Sequence, residues 1–136
     1  MDMDLACPTT TGIDILDFAL TLEHLEAAFY DYGITGCEND HVTTLSSVIS
    51  SLGGNLVPER TYNFLVENVS QFLVIAQALE TTGVSAYTGA IDSLDVHLLT
   101  AAGVIATGEG RHSYFLNVIL GQVGFPYALD TPLSPR

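Results

Sequence analysis

The sequence predicts an all-α fold, a four-helix bundle with one long crossover connection, on three observations. Four apolar stretches carry helical spacing, and three of them are closed by glycine. No segment alternates apolar and polar residues as a half-buried strand would. One pattern occurs twice in the same order: Glu23 with Tyr30 and then Glu38-x-x-His41, later Glu80 with Tyr87 and then Glu109-x-x-His112. Roughly 0.2 Glu-x-x-His pairs are expected by chance in such a composition, so two, each preceded by Glu-x6-Tyr, make the order informative.

The elements follow from their punctuation. Thr11 caps a first helix, with Asp14 three positions on, and the apolar run ends at Gly33, which predicts a helix over about 12–32. A second covers about 38–52 and stops at Gly53-Gly54; a connection through Pro58 and Tyr62-Asn63-Phe64 follows. Asn68, which also opens the sequon Asn68-Val69-Ser70, is placed to cap a third helix over about 68–90. A fourth runs over about 95–120 to Gly121, and the prolines at 126, 132 and 135 make 121–136 an irregular tail. The two halves of the bundle pair as up-down helices, and the first half is the shorter.

Composition excludes several functions. A chain of 136 residues reads as one domain, 1–136, able to bury about 68–70% of its unfolded surface. Its 48% hydrophobic content argues against disorder, and no uncharged run reaches the ~20 residues of a membrane span. The net charge is −13, there is no lysine, and Arg60, Arg111 and Arg136 are the only arginines, so a nucleic-acid partner is not expected. Cys7 and Cys37 flank the first helix and are too few for a thiolate zinc site. Residues 1–12 lack the basic start and apolar run of a signal peptide. A monomer or small homo-oligomer is expected.

At 100° per residue the charged members of the pattern fall on apolar stripes. Glu23 and Glu26 lie with Ile15, Phe18, Ala19, Leu22, Phe29 and Tyr30, while Asp17, His24 and Asp31 lie opposite. Glu38 and His41 share a stripe with Val42, Leu45, Val48, Ile49 and Leu52. Glu80 and Tyr87 lie with Phe72, Leu73, Ala76, Gly83 and Ala90, and Glu109 and His112 with Leu98, Ile105, Leu116 and Ile119. His97 sits at a stripe edge and is read as structural.

An ionised carboxylate left unpartnered in a core costs several kcal/mol, so it must be protonated, paired or bound to a cation. Without lysine the chain cannot balance four or more inward glutamates, whereas two divalent ions can. Inward Glu, Glu-x-x-His, Glu, Glu-x-x-His on four helices is the arrangement of di-iron and di-manganese carboxylate sites. The expected ligands are therefore Glu23 and Glu80 as terminal carboxylates, Glu38 and Glu109 as bridges, and His41 and His112 as nitrogens. Tyr30 and Tyr87 orient the carboxylates through their hydroxyls. The expected cofactor is a pair of iron or manganese ions, and the expected partners are those ions with O2 or peroxide.

The segments DILDFALTLEHLEAAFY, ENDHV, TYNF, ALETTGVSAYTGA, LTAAGVIATGEGRH and FPYALDTPL resemble, over nearly the full chain, the ferritin-like domain of fungal stress-response and plant desiccation-related proteins. That resemblance implies a ferritin-like bundle, a stress association and, in fungi, secretion. It carries the ligand role onto Glu23, Glu38, His41, Glu80, Glu109 and His112.

One spacing departs from the pattern. Glu109 follows Glu80 by 29 residues, but Glu38 follows Glu23 by only 15. If the second helix began at once, Glu38 would lie ~10 Å below Glu23 along the bundle and break the site. Either 33–37 runs extended back along the first helix, covering ~16 Å, or Glu26 replaces Glu23 as ligand. Gly108 and Gly110, flanking Glu109, either permit close packing or mark a decayed site. The competing expectations are a bundle without catalysis that has lost its metal, and an oxygen-dependent enzyme acting on a small organic substrate.

Overall fold

The structure is a computed structural model that describes residues 11–33 and 38–134. It contains four α-helices, α1 Gly12–Gly33, α2 Glu38–Ser51, α3 Val69–Ala90 and α4 Leu99–Ile119, and no strand among the described residues. The expectations for 34–37, for both cysteines and for Pro135 and Arg136 lie outside the described residues.

The helix starts have local causes. Thr11 and Asp14 form a reciprocal cap: the Asp14 amide donates to Thr11 Oγ1 at 3.2 Å, and the Thr11 amide donates to Asp14 Oδ2 at 2.8 Å. Asn68 Oδ1 accepts from the Gln71 amide at 3.0 Å and opens α3. The expected start of the last helix near Asp95 is corrected. Ile91–Ser93 and Val96–Leu98 are short 3-10 turns, and α4 begins at Leu99. The Asp95 carboxylate accepts from the His97 amide at 3.0 Å, two residues on, which holds the chain in a tight turn there.

Helix direction can be read from side-chain pairs. Tyr30 faces Glu80 and Tyr87 faces Glu23, so seven residues forward on α1 is seven residues back on α3: the two are antiparallel. The pairs Thr81–Ser113 and Gln77–Asn117 show the same for α3 and α4. Glu38 with His112 and Glu109 with His41 show it for α2 and α4. Gly54 lies against Ile13 near the start of α1, and Phe64 packs edge-on to Phe29 near its end at 5.0 Å. The crossover therefore returns along most of the bundle's length.

Two apolar clusters flank the layer of polar side chains. One unites Leu16, Leu20, Leu45, Ile49, Tyr87, Leu98, Ala102 and Ile105, with all four helices contributing. The other is built on Phe29, Phe72, Ala76 and Leu116, and Phe64 and Val66 of the crossover pack against it where α2 contributes nothing. Helix α2 begins level with the polar layer, so the crossover supplies apolar surface that a longer α2 would have supplied.

This explains which stripe residues stay exposed. Ile119 is 47% exposed because it lies two turns beyond His112, past the start of α2. Leu52 and Phe18, also expected inside, are exposed at 47% and 41%. Leu16 and Leu20, at the other edge of the α1 stripe, are fully buried beside Leu45 and Ile49 of α2. No described helix is long and apolar enough to cross a membrane.

Candidate metal centre

Each helix contributes to the polar layer between the two apolar clusters. Glu23, Glu26, Glu38, Glu80 and Glu109 are all buried. Two of the helices present imidazole through the same ring nitrogen. His41 Nδ1 lies 2.9 Å from Glu38 Oε2, 3.1 Å from Glu23 Oε2 and 3.1 Å from Glu109 Oε1. His112 Nδ1 lies 3.1 Å from Glu80 Oε2, 3.3 Å from Glu38 Oε1 and 3.9 Å from Glu109 Oε2. The rings stack at 6.2 Å.

One ring nitrogen carries at most one hydrogen, so it cannot satisfy three carboxylates. The hydrogen-bonding geometry is met only between His41 and Glu23 and between His112 and Glu80. Glu38 Oε2 and both carboxylate oxygens of Glu109 are left buried with no hydrogen-bond partner. Buried polar atoms in native proteins are nearly always partnered. Glu23, Glu38, His41 and Glu109 bring one ligand atom each within 4.8 Å of one another, as do Glu38, Glu80 and His112. Oxygen and imidazole donors without thiolate suit iron or manganese, so the donor set fits such ions.

The tyrosines reach across the bundle. Tyr87 donates to Glu23 Oε1 at 2.5 Å, and Tyr30 donates to Glu80 Oε1. Seven residues along one helix is ~10 Å, so each hydroxyl serves the carboxylate of the facing helix rather than that of its own.

The electrostatics are those of crowded like charges. Burial pushes the Glu109 carboxyl up to about 9, resisted by the nearby His41 ring and aided by the charges of Glu23 and Glu80. Burial, then the charges of Glu109, Glu23, Glu80 and Glu38, pushes Glu26 well above the carboxylate range. For His41 burial opposes the charge, yet the close carboxylates of Glu109, Glu23 and Glu38 carry it up to about 12. The bond to Glu80 raises His112, against burial. Burial also opposes ionisation of Glu80, but its neighbours, first His112 and then Glu109 and Tyr30, hold it below its ordinary value. Burial and the facing glutamate raise both tyrosine hydroxyls, which remain protonated donors.

All six expected ligands thus converge, with Glu23 and not Glu26 in the four-residue group. The expected ~10 Å drop of Glu38 does not separate it from the others. Glu23 and Glu80 stand on opposite sides of the centre, and Glu38 reaches His112 on the Glu80 side and His41 on the Glu23 side. His24 is half-buried and His97 exposed; neither joins a ligand group.

Two glycines take part that spacing alone did not assign. A Cβ at Gly108 would sit 3.2 Å from His41 Nε2, so this glycine admits the ring, the close-packing alternative. A Cβ at Gly83 would sit 3.3 Å from Glu109 Cγ. Gly110 has open space around it. The signal for Gly83 was its place on the apolar stripe with Glu80 and Tyr87.

No curated protein matches the chain. The family model of the ferritin-like domain matches it over residues 11–40 and 34–122, two segments that overlap where α1 passes to α2. With the helical bundle and the inward carboxylates, that match shows that the chain belongs to the ferritin-like domain family.

Proposed function

We propose that this chain is a carboxylate-bridged dinuclear metal protein that holds two iron or manganese ions. The observation that carries the reading is the set of buried carboxylate oxygens on Glu38 and Glu109 with no donor to satisfy them. Glu23 and Glu80 would be terminal carboxylates, Glu38 and Glu109 bridges, and His41 and His112 terminal nitrogens. Such an ion pair would supply two electrons together, one from each ion, so that oxidation of the two M(II) ions balances reduction of O2 or peroxide.

The chain's own residues hold and orient. Tyr30 and Tyr87 each fix one carboxylate oxygen of a terminal glutamate, leaving the other to face the centre. The two apolar clusters restrict water from both ends. His112, with 29% of its side chain exposed against 15% for His41, marks the side nearer solvent. The resemblance to stress-response and desiccation-related proteins supports a stress-associated role for this chemistry.

Anaerobic loading with Fe(II) or Mn(II), followed by elemental analysis, is expected to give two ions per chain; a chain that retains essentially none overturns the reading. One observation favours a second reading. Protonated Glu109, charged His41 and the two tyrosine bonds offset part of the charge without any ion, as in a bundle kept only for packing. That reading predicts the same melting temperature with and without Mn(II), in wild type and in Glu38→Ala and Glu109→Ala. Stabilisation by Mn(II) that both substitutions abolish rejects it.

A further inference from the structure

Beyond α4 the chain returns along the outer face of α3 and α4, and two glycines let it lie close. A Cβ at Gly124 would overlap the Tyr114 ring, and one at Gly89 would overlap the Leu133 backbone. A hydrogen bond backs each contact: the Asn117 side-chain amide donates to the Gly124 carbonyl at 3.3 Å, and the Leu133 amide donates to the Ser85 carbonyl at 2.9 Å. Between these two anchors the segment stands off the helices and leaves a cleft of about 600 Å³, the size of a small-molecule site.

The floor of the cleft is polar and bonded to itself. Gln77 donates to Thr81 and to Asn117, each at 3.0 Å, and the Thr81 and Ser113 hydroxyls share a hydrogen bond at 3.0 Å. The walls are aromatic. Tyr114, Phe125 and Tyr127 line them while 48%, 74% and 80% exposed, so these rings are not core packing. Tyr114 and Phe125 stack at 6.1 Å, which holds both in place. Asp130 is the only charged side chain among the described residues that line the cleft.

An aromatic face attracts a cation through the ring quadrupole. The Asp130 carboxylate and the chain's net charge of −13 act in the same sense and disfavour an anion. A sugar or other polyol needs several hydrogen-bonding groups, and the floor uses most of its own on itself; a methylated ammonium needs none. We propose that the cleft between the C-terminal segment and α3/α4 binds a small quaternary ammonium compound, with its cationic head against Tyr114, Phe125 and Tyr127 and Asp130 as the counter-charge. Thr81 and Ser113 follow Glu80 and His112 in sequence but line the outer cleft, so this site is distinct from the carboxylate centre and needs no metal.

The test is calorimetric titration of the whole chain with choline and with its uncharged carbon isostere, in which a tert-butyl group replaces the trimethylammonium group. Choline is expected to bind once per chain with a Kd of about 1 mM or lower. The isostere should bind about tenfold more weakly or not at all. Tyr127→Ala and Asp130→Asn change exposed side chains, so they should leave the melting temperature unchanged and each weaken choline by about threefold to tenfold. Gly89→Ala, which pushes Leu133 off α3, should weaken it as well. Choline that does not bind, an isostere that binds equally well, or full affinity in Tyr127→Ala overturns the proposal. Glucose bound more tightly than choline overturns it too, and makes the cleft a polyol site.

Discussion

The α1/α2 half and the α3/α4 half carry the same ligand pattern on unequal frames. Helices α3 and α4 have 22 and 21 residues and extend to both sides of the polar layer; α1 has 22, but α2 has 14 and is described from the proposed ligand Glu38 onward. The shorter half omits what lies beyond the site and keeps what lies at it. At the intact end four helices pack around Leu20, Leu45, Ile49 and Ile105. At the other, Phe64 and Val66 of the crossover lie against Phe29 and Phe72.

The comparison breaks most severely at the two proposed bridges, one from each half. Glu109→Gln and Glu38→Gln are each expected to reduce metal content from two ions per chain to near zero, measured by elemental analysis after Mn(II) loading. Because neither leaves an unpaired buried charge, the metal-free proteins should melt no lower than wild type.

A pH series on the metal-free protein sharpens it next. Glu109 is raised from 4.5 to about 9 and His41 from 6.5 to about 12, so both bind protons more tightly in the folded state. Their stabilising contribution is complete below the unfolded values and is lost as pH climbs through the folded ones. The lowered Glu80 acts in the opposite sense and only below its ordinary 4.5. The melting temperature of metal-free protein should therefore fall from about pH 5 to about pH 8.5, and saturating Mn(II) should remove or reverse that trend, since ion binding releases these protons. A melting temperature that rises over this range without metal contradicts the charge assignment.

The tyrosines test whether the halves are energetically equal. Tyr87→Phe and Tyr30→Phe each strand a buried carboxylate oxygen, at a cost of about 1–3 kcal/mol in chemical denaturation. Tyr87, 4% exposed, should cost more than the half-buried Tyr30. The smallest difference is at the helix starts. Thr11→Ala and Asn68→Ala each remove a cap worth about 1 kcal/mol, and the two should agree within experimental error.

Much of this was legible in residue types. Gly33, Gly53 and Gly121 and the caps Thr11 and Asn68 bounded helices closely, because those signals act within a few residues of themselves. The inward placement of Glu23, Glu38, Glu80 and Glu109 was legible for a different reason: each is an acidic side chain on an apolar stripe. The 3-10 turns at 91–98 were not legible, since they depend on which of several local hydrogen bonds of Asp95 wins. Nor were the stripe edges. Leu16 and Leu20 are buried and Ile119 is not because coverage depends on where the neighbouring helix starts and ends, which a helical wheel does not contain.

By itself the sequence determined four amphipathic helices and a set of carboxylates and imidazoles that had to face inward, because burial and periodicity are written residue by residue. Only the tertiary structure decided the level of each ligand. The 14-residue deficit between Glu23 and Glu38 looked like a broken site when counted along the chain. Antiparallel packing places Glu38 opposite His112 and Glu109 opposite His41, so the deficit falls at one end of the bundle and not within the centre. The physical reason is that coordination depends on distances across the bundle, and those are set by how the helices pack and not by how many residues join them.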